Sequence, residues 1–319
     1  MLIENPIPPK FDLHNDDINS LPNTISLLDH LGGFDSTLKS FELTQLSTMS
    51  AYRNITVDVE YIVDQQIRNN YPNLGLKFNS KLWAKATGVS KFTNYVIHPD
   101  LNYKNFICSF NGSEHVGRQL LASALNKFGY FNKDYCSKNF THNGNKIDGH
   151  IANYVENTEF YNKFFDCTDE FNQQINSFGH VRFEHDKNIY NLENKLTQSF
   201  LHIVSETMAT SYYPFVTEKF LYSIVTRGLF LSYAQPGWHA YLEKYLGFKL
   251  YTKLFDYRFD NITNPVERIV ELMTMIGKFS KLTPHEWHDL YLLESDTVEY
   301  NYNHFFSKNY LIELKKHEN

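Results

Sequence analysis

The 319-residue chain is poor in cysteine, the residue that staples small folds. Its three cysteines, Cys108, Cys136 and Cys167, are an odd number at wide spacing. Such a set makes neither a disulfide framework nor a zinc pattern, and it fits a reducing compartment. No apolar run approaches the ~20 residues that span a bilayer. The opening MLIENPIPPKFDLHNDD lacks a basic stretch followed by an apolar one, so no signal peptide is expected and the reading is cytoplasmic (host cytoplasm, were the source viral). Basic residues are outnumbered, 30 Lys and Arg against 36 Asp and Glu, for a net charge of −6. That balance disfavours a dedicated duplex-DNA binder, which draws its affinity from a positive field. Also missing are the phosphate loop GxxxxGK(S/T), the dinucleotide motif GxGxxG, the nucleophile elbow GxSxG and any Asp-x-Asp pair. His285-Glu286-Trp287-His288 places its histidines three apart, one short of the zinc-helix spacing, and reads as a surface helix.

Aromatics, by contrast, are plentiful at 16% of residues, with 26 Phe and 22 Tyr. They supply core volume and flat surfaces on which a ring-shaped ligand can stack. A length of 319 accommodates roughly two domains at ~150 residues each. After a Pro-, Asn- and Ser-rich start, RNITVDVEYIV (53–63) alternates polar and apolar residues as a strand does. Within it, Asp58 and Glu60 read as a solvated face, with a strand-end acid that could serve as a base as the alternative. YKNFICSFNG (103–112) is a β-type run ending in Asn-Gly, and HVGRQLLASALNKFG (115–129) follows with helical spacing and a glycine stop.

The clearest alternation comes later. SFLHIVSE (199–206) and LFLSYA (229–234) read as buried strands, and VTEKFLYSIVTRG (216–228) and WHAYLEKYLGF (238–248) as helices ended by Gly228 and Gly247. This order implies a parallel sheet covered by helices. Two further helices, over 264–282 and 283–306, close the chain, the first with Asn264 as cap and Pro265 in its first turn.

Ligands of such sheets bind outside the carboxyl ends of the strands. There the chain offers Glu206 at a strand end, and Phe215-Val216-Thr217-Glu218-Lys219 at a helix start. Lys219 suits a phosphate, Glu218 can accept the two hydroxyl hydrogen bonds of a ribose diol, and Phe215 offers a wall for a ring. The plain alternative is a helix start in which Thr217 is the cap and Glu218 answers the helix dipole. A second group, Asn111-Gly112-Ser113-Glu114-His115-Val116-Gly117-Arg118, lies between strand and helix. Here Glu114 and His115 are acid/base candidates, and Arg118 can reach a diphosphate in bidentate fashion. An Asn-Gly turn followed by a capped helix is the plain alternative.

The order Glu206, loop, Phe-Val-Thr-Glu-Lys, short helix, Arg-Gly, buried strand resembles the C-terminal half of two-domain, GT-B type sugar-nucleotide glycosyltransferases. Within that class it is similar to the alpha-1,3-fucosyltransferase pattern, a Phe-Glu-Asn strand end leading to Tyr-Val-Thr-Glu-Lys, and to glycosyltransferase-like proteins of tailed bacteriophages. The resemblance covers residues 199–250. Phe215 stands where that family has Tyr, and Thr-Met follows the strand glutamate instead of Asn-Ser, so it carries no fucose or GDP specificity.

The resemblance implies an α/β protein of two Rossmann-like domains facing a cleft, with C-terminal helices: an acceptor-side domain over 1–175 and a nucleotide-sugar domain over 176–319. In that scheme Glu114, His115 and Arg118 would be catalytic, Arg118 acting across the cleft. Asn111, Glu206, Phe215, Thr217, Glu218 and Lys219 would bind substrate, with Glu218 and Lys219 on the donor. The nucleotide sugar would be a co-substrate, with no further cofactor and no metal, and the acceptor a surface glycan or a hydroxymethylated DNA base. The alternative is a non-catalytic nucleotide- or glycan-binding protein on the same fold.

Overall fold

The computed structural model describes residues 24–27, 41–50, 54–59, 61–63, 65–87, 89–92, 102–111, 116–131, 134–138, 194–206, 209 and 216–318. Within them the chain is a mixed α/β protein built on two parallel sheets. The first contains β1 (Thr24–Leu27), β2 (Ile55–Val59) and β3 (Leu74–Phe78), in that order, with α1 (Phe41–Ser50) and α2 (Gln65–Asn70) in the connections and α3 (Ser80–Thr87) following. Alternate residues of β2 and β3 are buried, so the strand expected from the alternation at 53–63 is present over Ile55–Val59. Asp58 accepts a hydrogen bond from Asn79 Nδ2 at 2.8 Å; Glu60 lies outside the described residues.

The second sheet holds β4 (Asn105–Asn111), β5 (Tyr135–Lys138), β6 (Ser199–Ser205) and β7 (Leu229–Tyr233), in the order β5-β4-β6-β7. Every residue of β6 and β7 is buried, as expected of parallel strands covered on both faces. β4 continues into α4 (Val116–Lys127) and β6 into α5 (Lys219–Val225). The chain ends in α6 (Trp238–Leu246), α7 (Pro265–Gly277), α8 (Pro284–Phe306) and α9 (Asn309–Lys315).

Local chemistry explains where these helices begin and end. Asn264 caps α7 through Val266 N and Glu267 N, and Pro265 fills a position that needs no N–H. α8 opens with a capping box, in which Thr283 and Glu286 satisfy each other's backbone amides. Gly247 ends α6 at φ +72°, a left-handed conformation that costs glycine little. The segment His285–His288 lies on α8, where His285 pairs with Asp289 and is largely exposed.

The faces of the second sheet follow from the period of two. Phe230 meets Phe220 of α5, their rings 6.0 Å apart, whereas Tyr233 turns the other way and donates to Pro265 O of α7 at 2.9 Å. Rings of Phe106 and Phe200 stack on Trp287 of α8. The C-terminal segment returns to the first sheet's helix, where Glu318 accepts from Ser80 N at 2.7 Å and Tyr310 meets Trp83.

The sheets divide the chain elsewhere than at 175–176. β4, α4 and β5, expected in the N-terminal half, belong with β6 and β7, because Asn105, Ile107 and Cys108 pair with Ser199, Leu201 and His202. The break between sheets falls between Phe78 and Asn105. Among the described residues, no helix is long and apolar enough to cross a membrane.

Candidate functional site

In the second sheet β4 leads through α4 to β5 on one side, and β6 leads through α5 to β7 on the other. Right-handed crossovers leaving two adjacent parallel strands in opposite directions put their helices on opposite faces. A crevice then opens outside the carboxyl ends of those two strands. Asn111 closes β4 and Glu206 follows β6, so two of the candidate positions flank that point.

Arg118 sits in the first turn of α4, buried to 2% exposure. Its neighbour Gly117 explains how the helix approaches: a Cβ there would lie 2.6 Å from the Cβ of Ala209, beyond the end of β6. The absent side chain lets α4 close on the segment after β6. Arg118 thereby falls within the electrostatic reach of Glu206 and Glu218. It does not sit with a separate N-terminal sheet, contrary to the sequence expectation, because long-range pairing of β4 with β6 places it in the same sheet layer as Glu206.

Glu206 is fully buried, and its amide donates to Tyr233 O of β7 at 3.1 Å. Its carboxylate accepts from Thr217 twice, from the hydroxyl at 2.5 Å and from the amide at 3.3 Å. Burial pushes the Glu206 carboxyl up to about 7; Lys219 and the Thr217 hydrogen bonds oppose the rise, and Glu218 adds to it.

Lys219 Nζ donates to Thr217 Oγ1 at 3.2 Å and to Glu218 Oε1 at 3.3 Å, with only 12% of the side chain exposed. Burial holds its ammonium below the usual lysine range, and Arg118 presses it the same way, whereas both glutamates pull it back. Burial likewise lowers Arg118. Two cations and two carboxylates thus share one buried region.

Two expectations for this helix start change. α5 has seven residues, Lys219–Val225, and begins later than the predicted 216–228. Its N-cap position is Glu218, which makes no side-chain cap hydrogen bond, while the Thr217 hydroxyl turns mainly to Glu206. The Thr217 hydroxyl gives its proton to the Glu206 carboxylate at 2.5 Å and accepts from the Lys219 amide at 3.4 Å.

Below Lys219, between β4, β6 and α5, lies a partly open pocket. Its lining includes Cys108, Phe110, His202, Val204 and Ser223. The sequence reading missed His202 and Ser223. His202 Nε2 lies 2.8 Å from Leu196 O, which can only accept, so this nitrogen carries the proton. Nδ1 therefore accepts from Ser223 Oγ at 2.9 Å. Burial depresses the His202 imidazole to about 4 and raises the Cys108 thiol, so neither charges readily. The one signal in the sequence was a lone histidine inside the apolar run SFLHIVS.

Asn111 is buried, with Nδ2 donating to Ser109 Oγ at 3.3 Å. Glu114, His115 and Phe215 lie outside the described residues. Among the described residues no group of three or more His, Cys, Asp or Glu could hold a metal ion. No family model matches the chain, and no curated protein or solved structure matches it.

Proposed function

We propose that the chain is a glycosyltransferase that moves a sugar from a nucleotide-sugar donor to a hydroxyl acceptor. One observation carries the reading: Arg118, Glu218 and Lys219 converge where β4 and β6 send their connections apart, the place where α/β sheets bind ligands. Lys219 and Arg118 would neutralise the diphosphate leaving group, a task that depends on fixed charge in a water-poor site. Glu218, now paired with Lys219, would exchange that partner for ribose hydroxyls. The family's two-domain cleft and the acid/base roles of Glu114 and His115 belong to the same proposal.

A non-catalytic binder is the second reading, favoured by the engagement of both described carboxylates: Glu206 holds Thr217 and Glu218 holds Lys219. A thermal-shift panel of nucleotide sugars, followed by a hydrolysis assay of the responding donor, separates the two. A ligand at 100 times its dissociation constant stabilises by ~2.7 kcal/mol, readily seen as a shift. Turnover supports the enzyme, and binding without turnover supports the binder. Lys219→Ala should weaken donor binding by ~1.5–3 kcal/mol, the loss of one charge-assisted hydrogen bond. Parental affinity in a folded Lys219→Ala protein refutes the site.

A further inference from the structure

Glu206 differs from its neighbours in having no surface at all, and both of its oxygens are committed to a single residue. Thr217 has one hydroxyl proton to give. With Glu206 ionised, that proton points to Oε2, and the hydroxyl's lone pairs face Lys219 Nζ at 3.2 Å. Glu206, Thr217 and Lys219 thus form a chain of hydrogen bonds whose direction is set by the proton on Glu206. Its far end is the ammonium that the proposed donor would need.

We propose that Glu206 is a positioning residue, acting on Lys219 through Thr217, and that capture of a doubly charged oxyanion at Lys219 and Arg118 is coupled to uptake of one proton by Glu206. The inference rests on the nucleotide-sugar reading only in taking the anion to be of the phosphate class.

The charges require the coupling. Among the described residues, the charged groups facing Glu206 are Arg118 from α4 and Glu218 and Lys219 from the start of α5; the Tyr233 carbonyl of β7 holds its backbone amide. Two cations and two carboxylates cancel. A dianion that draws Lys219 away removes the nearest countercharge from a carboxylate with no access to water, and an unpaired buried charge is strongly disfavoured. Solvent supplies the proton. Once on Oε2 it reverses the bond, Glu206 donates to Thr217 Oγ1, and the threonine proton is released to turn toward the anion as a further donor. Burial has already raised this carboxyl into the neutral range, so the exchange falls where it can be measured.

Sulfate is the probe, because it is a dianion that does not itself titrate near neutrality. Titration calorimetry of the whole chain near pH 8, where a carboxyl that titrates at about 7 is mostly ionised, in two buffers of different ionisation heat, should show uptake approaching one proton. Sulfate affinity should fall by up to about tenfold from pH 8 to pH 9, the limit for one linked proton. Glu206→Gln keeps an acceptor for Thr217 and should bind sulfate with no uptake and no such slope. Lys219 titration alone would leave the slope in place in that variant. Thr217→Ser should retain the coupling and Thr217→Val should lose it. Sulfate binding without uptake, uptake that persists in Glu206→Gln, or no sulfate binding in the parent overturns the proposal. If uptake is seen and no nucleotide sugar is bound or turned over, the glycosyltransferase reading fails and this one stands.

Discussion

Acid should weaken the second sheet through His202, and the structure sets the size of the effect. The imidazole is 2% exposed, donates to Leu196 O and accepts from Ser223. It has no room to move, since a Cβ on Gly228 would come within 2.2 Å of its Cε1. Protonation would set an N–H against the Ser223 proton and bury a charge, which is why its folded-state value is about 4 against an ordinary 6.5. A group whose folded value is depressed contributes stability that is present above its unfolded value and lost as pH falls toward the folded one. The loss therefore spans roughly pH 6.5 to 4, and by pH 5 it amounts to about 2 kcal/mol relative to pH 8.

The assay is urea unfolding at pH 8 and pH 5 of the parent and of His202→Gln, which keeps a donor for Leu196 O and cannot titrate. Carboxylates contribute to acid sensitivity in both proteins, so the difference between the two slopes isolates the histidine. The parent should lose about 2 kcal/mol more than the variant. Parallel losses would refute the assignment of a buried, neutral His202.

Gly228→Ala drives a methyl into the same ring and should cost at least ~1–3 kcal/mol, the range for overpacking a filled core; thermal melting checks it, and an unchanged midpoint contradicts the packing. Arg118→Ala should lower turnover by ~10²-fold, the scale of losing one electrostatic donor at a developing charge. Arg118→Lys should rescue little, because a point charge does not replace a bidentate fork; near-parental rates in steady-state assays of both variants would remove Arg118 from the mechanism. Activity should survive EDTA, since the sequence has no Asp-x-Asp pair and the proposal assigns the leaving-group charge to Lys219 and Arg118. An absolute Mn²⁺ or Mg²⁺ requirement would show that assignment to be misplaced.

Much of the second sheet was legible in the sequence because its signals are local. Continuous apolar runs marked β6 and β7, since strands covered on both faces have no polar positions to alternate. Asn264 and Pro265 marked the start of α7, and Gly247 the end of α6, because caps act within one helical turn. The parallel α/β class follows from strands and helices taking turns along the chain. Glu206, Thr217, Glu218 and Lys219 could be named for the same reason: they lie within a short stretch at the end of one strand and the start of the next helix.

Which elements share a sheet was decided by tertiary structure alone. Nothing within YKNFICSFNG says that Asn105 will pair with Ser199, so Arg118 was expected across a cleft and is found beside Glu206. Thr217 reads as a helix cap in its own neighbourhood; only folding brings a fully buried carboxylate to 2.5 Å to take its hydroxyl proton. His202 carries no local mark of its two partners. The pairing of β4 with β6 joins residues distant in sequence, and at Glu206 and His202 the contact draws its strength from burial, which raises the cost of an unpaired charge or donor and which no local pattern of residues encodes.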